Sequence, residues 1–72
     1  MLDFGSHLKT VRKSKGFTQK QLAEAIGATE AGVQNYERGA RKPTFDMLIA
    51  LANALDVSLD YLVGRSDDPA RR

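Results

Sequence analysis

The 72-residue sequence contains no cysteine and only one histidine. The absence of cysteine excludes disulfide bonds, thiolate metal sites and thiol catalysis, so side-chain packing alone must hold the fold. No apolar run approaches the roughly 20 residues that cross a bilayer, and the first residues lack the long apolar stretch of a signal peptide. We therefore expect a cytoplasmic protein with no membrane partner.

The length is sufficient for one small domain, which buries roughly 60% of the surface of the unfolded chain. Residues 1–42 carry eight Lys and Arg against four Asp and Glu, a charge of +4, whereas residues 43–72 carry three against five, a charge of −2. This asymmetry fits a polyanion bound on one side of the molecule. Ordinary solvated surface charge is the alternative explanation.

The segment 18–39 predicts two short helices joined by a tight turn. Thr18 and Gln21 have the spacing of a capping box, in which each side chain bonds the other residue's backbone N–H. Gly27 follows the first apolar stripe at a place that requires a positive φ, which glycine adopts without strain. Thr29 is then placed to cap the second helix.

The second helix of this segment has one apolar and one polar face. Val33 and Tyr36 are three residues apart and face inward. The opposite face carries small and amide side chains and is free for recognition; it comprises Glu30, Ala31, Gly32, Gln34, Asn35 and Arg38.

Three further helices are predicted. The first covers about 4–15, with Phe4, Leu8, Val11 and Arg12 at helical spacing. The fourth runs over about 45–55 after a Thr44 cap, and a short fifth follows Ser58 over 59–63. The buried stripe of the fourth helix comprises Leu48, Leu51, Ala52 and Leu55. Residues 65–72 are polar and without periodicity, so we expect a frayed tail or linker there.

The pattern as a whole resembles a helix-turn-helix of the Cro and phage-repressor type, the XRE family of bacterial regulators. The similarity covers residues 4–64, and a glycine between two helices would be weak evidence alone. The resemblance implies an all-α, compact five-helix lambda-repressor-like DNA-binding domain at 1–64, with the helix-turn-helix at helices 2 and 3. Seven motif positions carry suitable residues: Leu22, Ala23, Ile26, Gly27, Ala28, Val33 and Tyr36.

In this family the second motif helix lies in the major groove with its N-terminal residues at base edges. Asn35 can pair with adenine N6 and N7, and Gln34 can do the same or reach a phosphate. Glu30 can accept a hydrogen bond from cytosine N4, and Ala31 can contact a thymine methyl group. An equally good explanation of Glu30 is stabilisation of the helix N-terminus.

Phosphate contacts are expected from the helix preceding the turn and from the cations around the motif. Gln19 begins that helix, where backbone N–H groups and the helix dipole favour a phosphate, and its side chain can bridge a phosphate and the recognition helix. For each lysine or arginine taken singly, free solvation is the better explanation. The further phosphate candidates are Lys20, Arg38, Arg41 and Lys42.

An ion pair is expected between the first helix and the recognition helix. Arg12 lies on or beside an apolar face, where an unpaired charge is costly, so it requires an acceptor. Glu37 is near the inner face of the recognition helix, and family members often join an arginine and a glutamate at these places. We predict a partly buried Arg12–Glu37 pair, and breaking one side of it should cost more than the roughly 0 to 1 kcal/mol of a surface bridge.

A homodimer on a near-palindromic operator is the expected assembly, because one recognition helix covers only a few base pairs. Leu59, Leu62 and Val63 are the predicted interface residues. The alternative is that these three side chains close the core of the monomer.

Other functions fit the sequence less well. No nucleophile motif, phosphate-cradling loop or metal-ligand cluster is present, so we expect no enzyme, no cofactor and no metal. His7 is expected to face solvent. The same fold also serves in antitoxins, which often bind a partner protein through an additional extension. Residues 65–72 are too short to supply such an extension convincingly. The chain also fits the DNA-binding domain of a longer repressor.

Overall fold

A computed structural model describes residues 3–64, which form helices and connecting turns without a strand. Its five helices are α1 (Phe4–Ser14), α2 (Gln19–Ile26), α3 (Glu30–Arg38), α4 (Phe45–Leu55) and α5 (Leu59–Leu62). None of the helices within 3–64 has the length and apolar character needed to cross a membrane. The predicted tail at 65–72, and with it any partner-binding extension, lies outside the described residues.

Side-chain caps begin four of the helices where the sequence predicts them. Thr18 Oγ1 accepts a hydrogen bond from the Gln21 backbone N–H at 3.0 Å, and Gln21 Oε1 accepts one from the Thr18 N–H at 2.9 Å. The side chains of Thr29, Thr44 and Ser58 each accept one backbone N–H bond and so cap α3, α4 and α5. These bonds satisfy backbone donors that the first turn of a helix leaves unpaired.

The turns on either side of α3 depend on left-handed glycines. Gly27 has φ 70°, and the next residue, Ala28, donates its N–H to the Ala23 carbonyl at 2.9 Å. Gly39 has φ 76° and is followed by an equivalent bond to the Asn35 carbonyl. Both are Schellman-type ends, which stop a helix and reverse the chain within one residue. α3 is therefore bounded at both ends by backbone geometry.

The helices enclose one hydrophobic core. α1 packs on α3 and α5, α2 packs on α3 and α4, and α4 packs on α5. α3 thus rests on the two helices that precede it and leaves its far side to solvent. The buried apolar side chains are Leu8, Val11, Leu22, Ala23, Val33, Leu51, Ala52, Leu55, Val57 and Leu62.

The core differs from the sequence prediction at three positions. Leu48 is half-buried rather than buried, and Val57, in the break between α4 and α5, is 1% exposed, a burial that the sequence analysis did not predict. Leu62 is fully buried, so its assignment to a dimer surface is wrong. The reason is that α5 is a single turn held against both α1 and α4, and its inward residue fills the space between them. Leu59 and Val63 are half-buried.

Gly5 lets α1 approach α3 closely. A Cβ atom at this position would lie 2.8 Å from the carbonyl oxygen of Tyr36 and closer still to that of Glu37. Backbone atoms cannot move aside as a flexible side chain does, so only glycine fits here. This contact sets the separation between the first helix and the end of α3.

The position of His7 contradicts the expectation of a solvent-facing residue. Its ring is half-buried, and Nε2 lies 2.8 Å from the Tyr61 carbonyl oxygen. Because a carbonyl can only accept, Nε2 is the donor. The ring also packs edge-on against Tyr61, with centroids 5.2 Å apart. The prediction was wrong because α5 folds back over α1, a contact across 54 residues of sequence.

Candidate nucleic-acid interface

The outer side of α3 presents small and polar side chains to solvent. Glu30, Ala31, Gln34 and Arg38 are exposed, and Asn35 is half-buried. Val33, on the opposite side of the same helix, is fully buried in the core. The four predicted base-contacting residues therefore share one accessible surface, and Asn35 is the least exposed of them.

Asn35 and Arg38 are linked to each other. Arg38 Nη2 donates to Asn35 Oδ1 at 2.5 Å. An amide oxygen has two acceptor positions and a guanidinium has five N–H donors, so each side chain keeps groups for a further partner. The bond orients both side chains before any partner arrives.

The predicted ion pair is formed between α1 and α3. Arg12 Nε donates to Glu37 Oε2 at 2.6 Å, and Arg12 Nη2 donates to Glu37 Oε1 at 3.2 Å. The third nitrogen, Nη1, donates to the Phe17 carbonyl at 2.9 Å. Only 8% of the Arg12 side chain and 3% of the Glu37 side chain are exposed. The pair therefore lies out of contact with most solvent, unlike a surface bridge.

Gln19 joins this pair from α2. Its Nε2 donates to Glu37 Oε1 at 3.0 Å, across 18 residues of sequence. One carboxylate thus holds side chains from α1 and α2 against α3. The second N–H and the carbonyl oxygen of the Gln19 amide remain for another partner. The network fixes both the tilt of α3 and the direction of the Gln19 side chain.

The remaining predicted phosphate contacts are exposed, and two of them lie beside an acid. Lys20, Arg41 and Lys42 are all exposed. Arg41 and Lys42 line a groove of about 430 Å³ that also includes Asp3 and Gly5. A hydrogen bond from the Ser6 hydroxyl lowers the pKa of Asp3. The sequence analysis missed this nearby negative charge.

A second groove brings in a residue that the sequence analysis did not assign to the site. It measures about 370 Å³ and is lined by Lys9, Gln19, Gln34, Glu37 and Arg38. The sequence predicts Lys9 only as an outward residue of the first helix. Its placement beside α3 follows from how α1 crosses that helix, and no motif signals it. Within residues 3–64, no group of histidine and acidic side chains is placed to hold a metal ion.

These features define a class of protein: a small all-helical domain in which a two-helix unit presents its second helix to solvent. A family model described as Helix-turn-helix matches residues 8–62. The chain belongs to this family, and within it to the regulators of the Cro and phage-repressor type.

Individual relatives agree with the family assignment. An uncharacterised HTH-type transcriptional regulator of Bacillus subtilis, YobD, is 44% identical over 62 residues, covering 86% of this chain and 55% of its own length. The chain spans about half the length of the curated relatives it matches.

Two solved structures are similar to this one throughout the described fold. The P22 c2 repressor, crystallised with a synthetic operator, has a TM-score of 0.84 at 27% identity, covering 92% of this chain and all (100%) of that one. The restriction-modification controller protein C.AhdI from Aeromonas hydrophila has a TM-score of 0.81 at 35% identity, covering 83% of this chain and 91% of that one.

Proposed function

We propose that this chain is a sequence-specific double-stranded DNA-binding transcriptional regulator, a repressor that inserts α3 into the major groove of a near-palindromic operator. The observation that carries this proposal is the exposed amide-bearing side of α3, which the Arg12–Glu37–Gln19 network holds at a fixed tilt. A fixed tilt matters because base-edge hydrogen bonds tolerate little misplacement. The similarity to the P22 c2 repressor, solved with an operator, supports it.

Each of the four side chains of α3 that are proposed to read bases has a base edge that suits it. The Asn35 amide offers a donor and an acceptor to adenine, and Gln34 does the same from a more exposed position. Glu30 accepts from cytosine and Ala31 contacts a thymine methyl group. The phosphate contacts, which position the domain without reading sequence, come from Gln19, Lys20, Arg38, Arg41 and Lys42.

The operator-bound form is proposed to be a homodimer. One α3 helix reads only a few base pairs, and two such helices about one DNA turn apart read a near-palindrome. Leu59 and Val63 are the remaining interface candidates, since both are half-buried in the isolated chain. Sedimentation at micromolar concentration measures the association directly. A monomer at that concentration, with and without DNA, would contradict the dimer.

Selection of bound sites from a random duplex library tests the function. We expect an enriched near-palindrome with half-sites centred roughly 10 base pairs apart. The matched control is the double variant Gln34→Ala/Asn35→Ala, which should lose the enriched sequence and still bind random duplex in dilute buffer, because it retains every side chain proposed to contact a phosphate. If the unmodified protein binds no duplex even in dilute buffer, the proposal is wrong.

A further inference from the structure

The groove beside α3 combines side chains from three helices around a space open to solvent. Lys9 comes from α1, Gln19 from α2, and Gln34, Glu37 and Arg38 from α3. Its volume of about 370 Å³ is many times the roughly 30 Å³ that one water molecule occupies in the liquid. The space therefore admits a phosphodiester group together with ordered water.

The charge of this groove is positive despite its carboxylate. Glu37 already accepts two hydrogen bonds from Arg12 and one from Gln19, so its negative charge is balanced within the protein. Lys9 and Arg38 are both exposed and add two positive charges that this pair does not offset. Within residues 3–64, no acidic side chain forms an ion pair with Lys9. An anion is the ligand that suits such a lining.

The position of the groove identifies the source of the anion. Gln34 belongs both to the groove lining and to the exposed side of α3 that is proposed to face the bases. A group held beside Gln34 and Arg38 therefore lies at the edge of the bound duplex, where the sugar-phosphate backbone runs.

We propose that Lys9 of α1 contacts a backbone phosphate of the operator in this groove, together with Gln19 and Arg38. The inference rests on the proposed DNA-binding function and adds the first helix to the interface. Gln19 is held towards the groove by its bond to Glu37, and Arg38 lines the same groove. Lys9 supplies a cation to the same groove from α1.

A phosphate contact carries no sequence information, and this property distinguishes it from a base contact. Loss of the Lys9 ammonium should weaken binding to the selected operator and to random duplex by the same factor. Each phosphate contact contributes about 0.9 to the slope of log K against log salt concentration, which corresponds to roughly tenfold in affinity at about 0.1 M salt.

The experiment measures fluorescence anisotropy of labelled duplexes at about 0.05 to 0.3 M potassium chloride. For Lys9→Ala we expect roughly tenfold weaker binding per bound protomer near 0.1 M salt, which is roughly a hundredfold for a dimer on either duplex, and a slope less steep by about 1 per protomer. Lys9→Arg should restore both values, because it keeps the charge. Lys13→Ala is the matched control: an exposed cation one turn further along α1 and outside the groove lining, which should leave the slope unchanged.

Three results would overturn the Lys9 contact: an unchanged slope in Lys9→Ala, an equal effect in Lys13→Ala, or a loss confined to the selected operator. In each of these cases the unmodified protein still binds its operator, so the proposed function stands. Failure of the unmodified protein to bind any duplex would instead reject the function itself.

Discussion

Removing one side of the buried ion pair should cost this small domain a large part of its stability. Arg12→Ala deletes a guanidinium that donates three hydrogen bonds, two to Glu37 and one to the Phe17 carbonyl. The Glu37 carboxylate, whose side chain is 3% exposed, would keep only the bond from Gln19. The variant therefore contains a buried charge without a counter-charge.

The burial of both partners decides the magnitude. Breaking a buried pair from one side costs about 3 to 5 kcal/mol, whereas an exposed pair contributes about 0 to 1 kcal/mol. At about 0.05 to 0.15 kcal/mol per residue, a 72-residue chain has a total stability of roughly 4 to 11 kcal/mol. Arg12→Ala should thus remove about a quarter or more of the free energy of unfolding.

Urea unfolding followed by circular dichroism measures this loss in the free energy of unfolding. Two further variants serve as controls for its cause. Lys13→Ala, at an exposed neighbouring position, should stay within about 0.5 kcal/mol of the unmodified protein. The double variant Arg12→Met/Glu37→Leu should recover most of the stability, because an apolar pair of similar volume needs no counter-charge. A loss below about 1 kcal/mol for Arg12→Ala would show that the pair behaves as a surface bridge and refute the reasoning.

Outcomes are also expected for four other variants. Gly5→Ala should destabilise the fold by about 1 to 3 kcal/mol in urea unfolding, since the new methyl group meets backbone oxygens of α3. Gly32→Ala adds the same group inside a helix, where it meets only the Thr29 hydroxyl at 3.3 Å, and should be neutral or stabilising by up to about 1 kcal/mol; equal losses in both variants would exclude the close-approach explanation. In binding titrations, Asn35→Ala should lose about 1 to 3 kcal/mol of discrimination at one base pair, whereas Lys42→Ala should weaken all sequences alike and flatten the salt dependence. Equal losses on operator and random DNA for Asn35→Ala would remove its base-reading role.

The helix boundaries could be predicted because local interactions determine them. Thr18 and Gln21 are three residues apart, and their reciprocal bonds form whenever that turn is helical. Gly27 and Gly39 stop their helices through a backbone conformation that depends on one residue. The apolar spacing of Leu22, Ala23 and Val33 likewise indicates an inward face without reference to a partner.

The parts of the site that could be predicted are mainly those that depend on the sequence of a single helix. The polar side of α3 follows from its own periodicity, so Glu30, Ala31, Gln34 and Asn35 were found together. The Arg12–Glu37 pair was also found, because a charge on an apolar face requires a counter-charge and the family resemblance indicates Glu37 as its partner.

Other features depend on how the helices cross. Lys9 lines the groove beside α3, His7 bonds to the Tyr61 carbonyl, and Leu62 is buried in the core instead of lying at an interface. Each of these placements results from the path of α1 or α5 past its neighbours. The close approach at Gly5 is one cause of that path, and it has no signature at helical spacing. By itself the sequence determined where the helices begin and end and which face of each is apolar, since those depend on residues a few positions apart. The tertiary structure alone decided which distant side chains meet, because the separations and angles between helices are set by packing over the whole core.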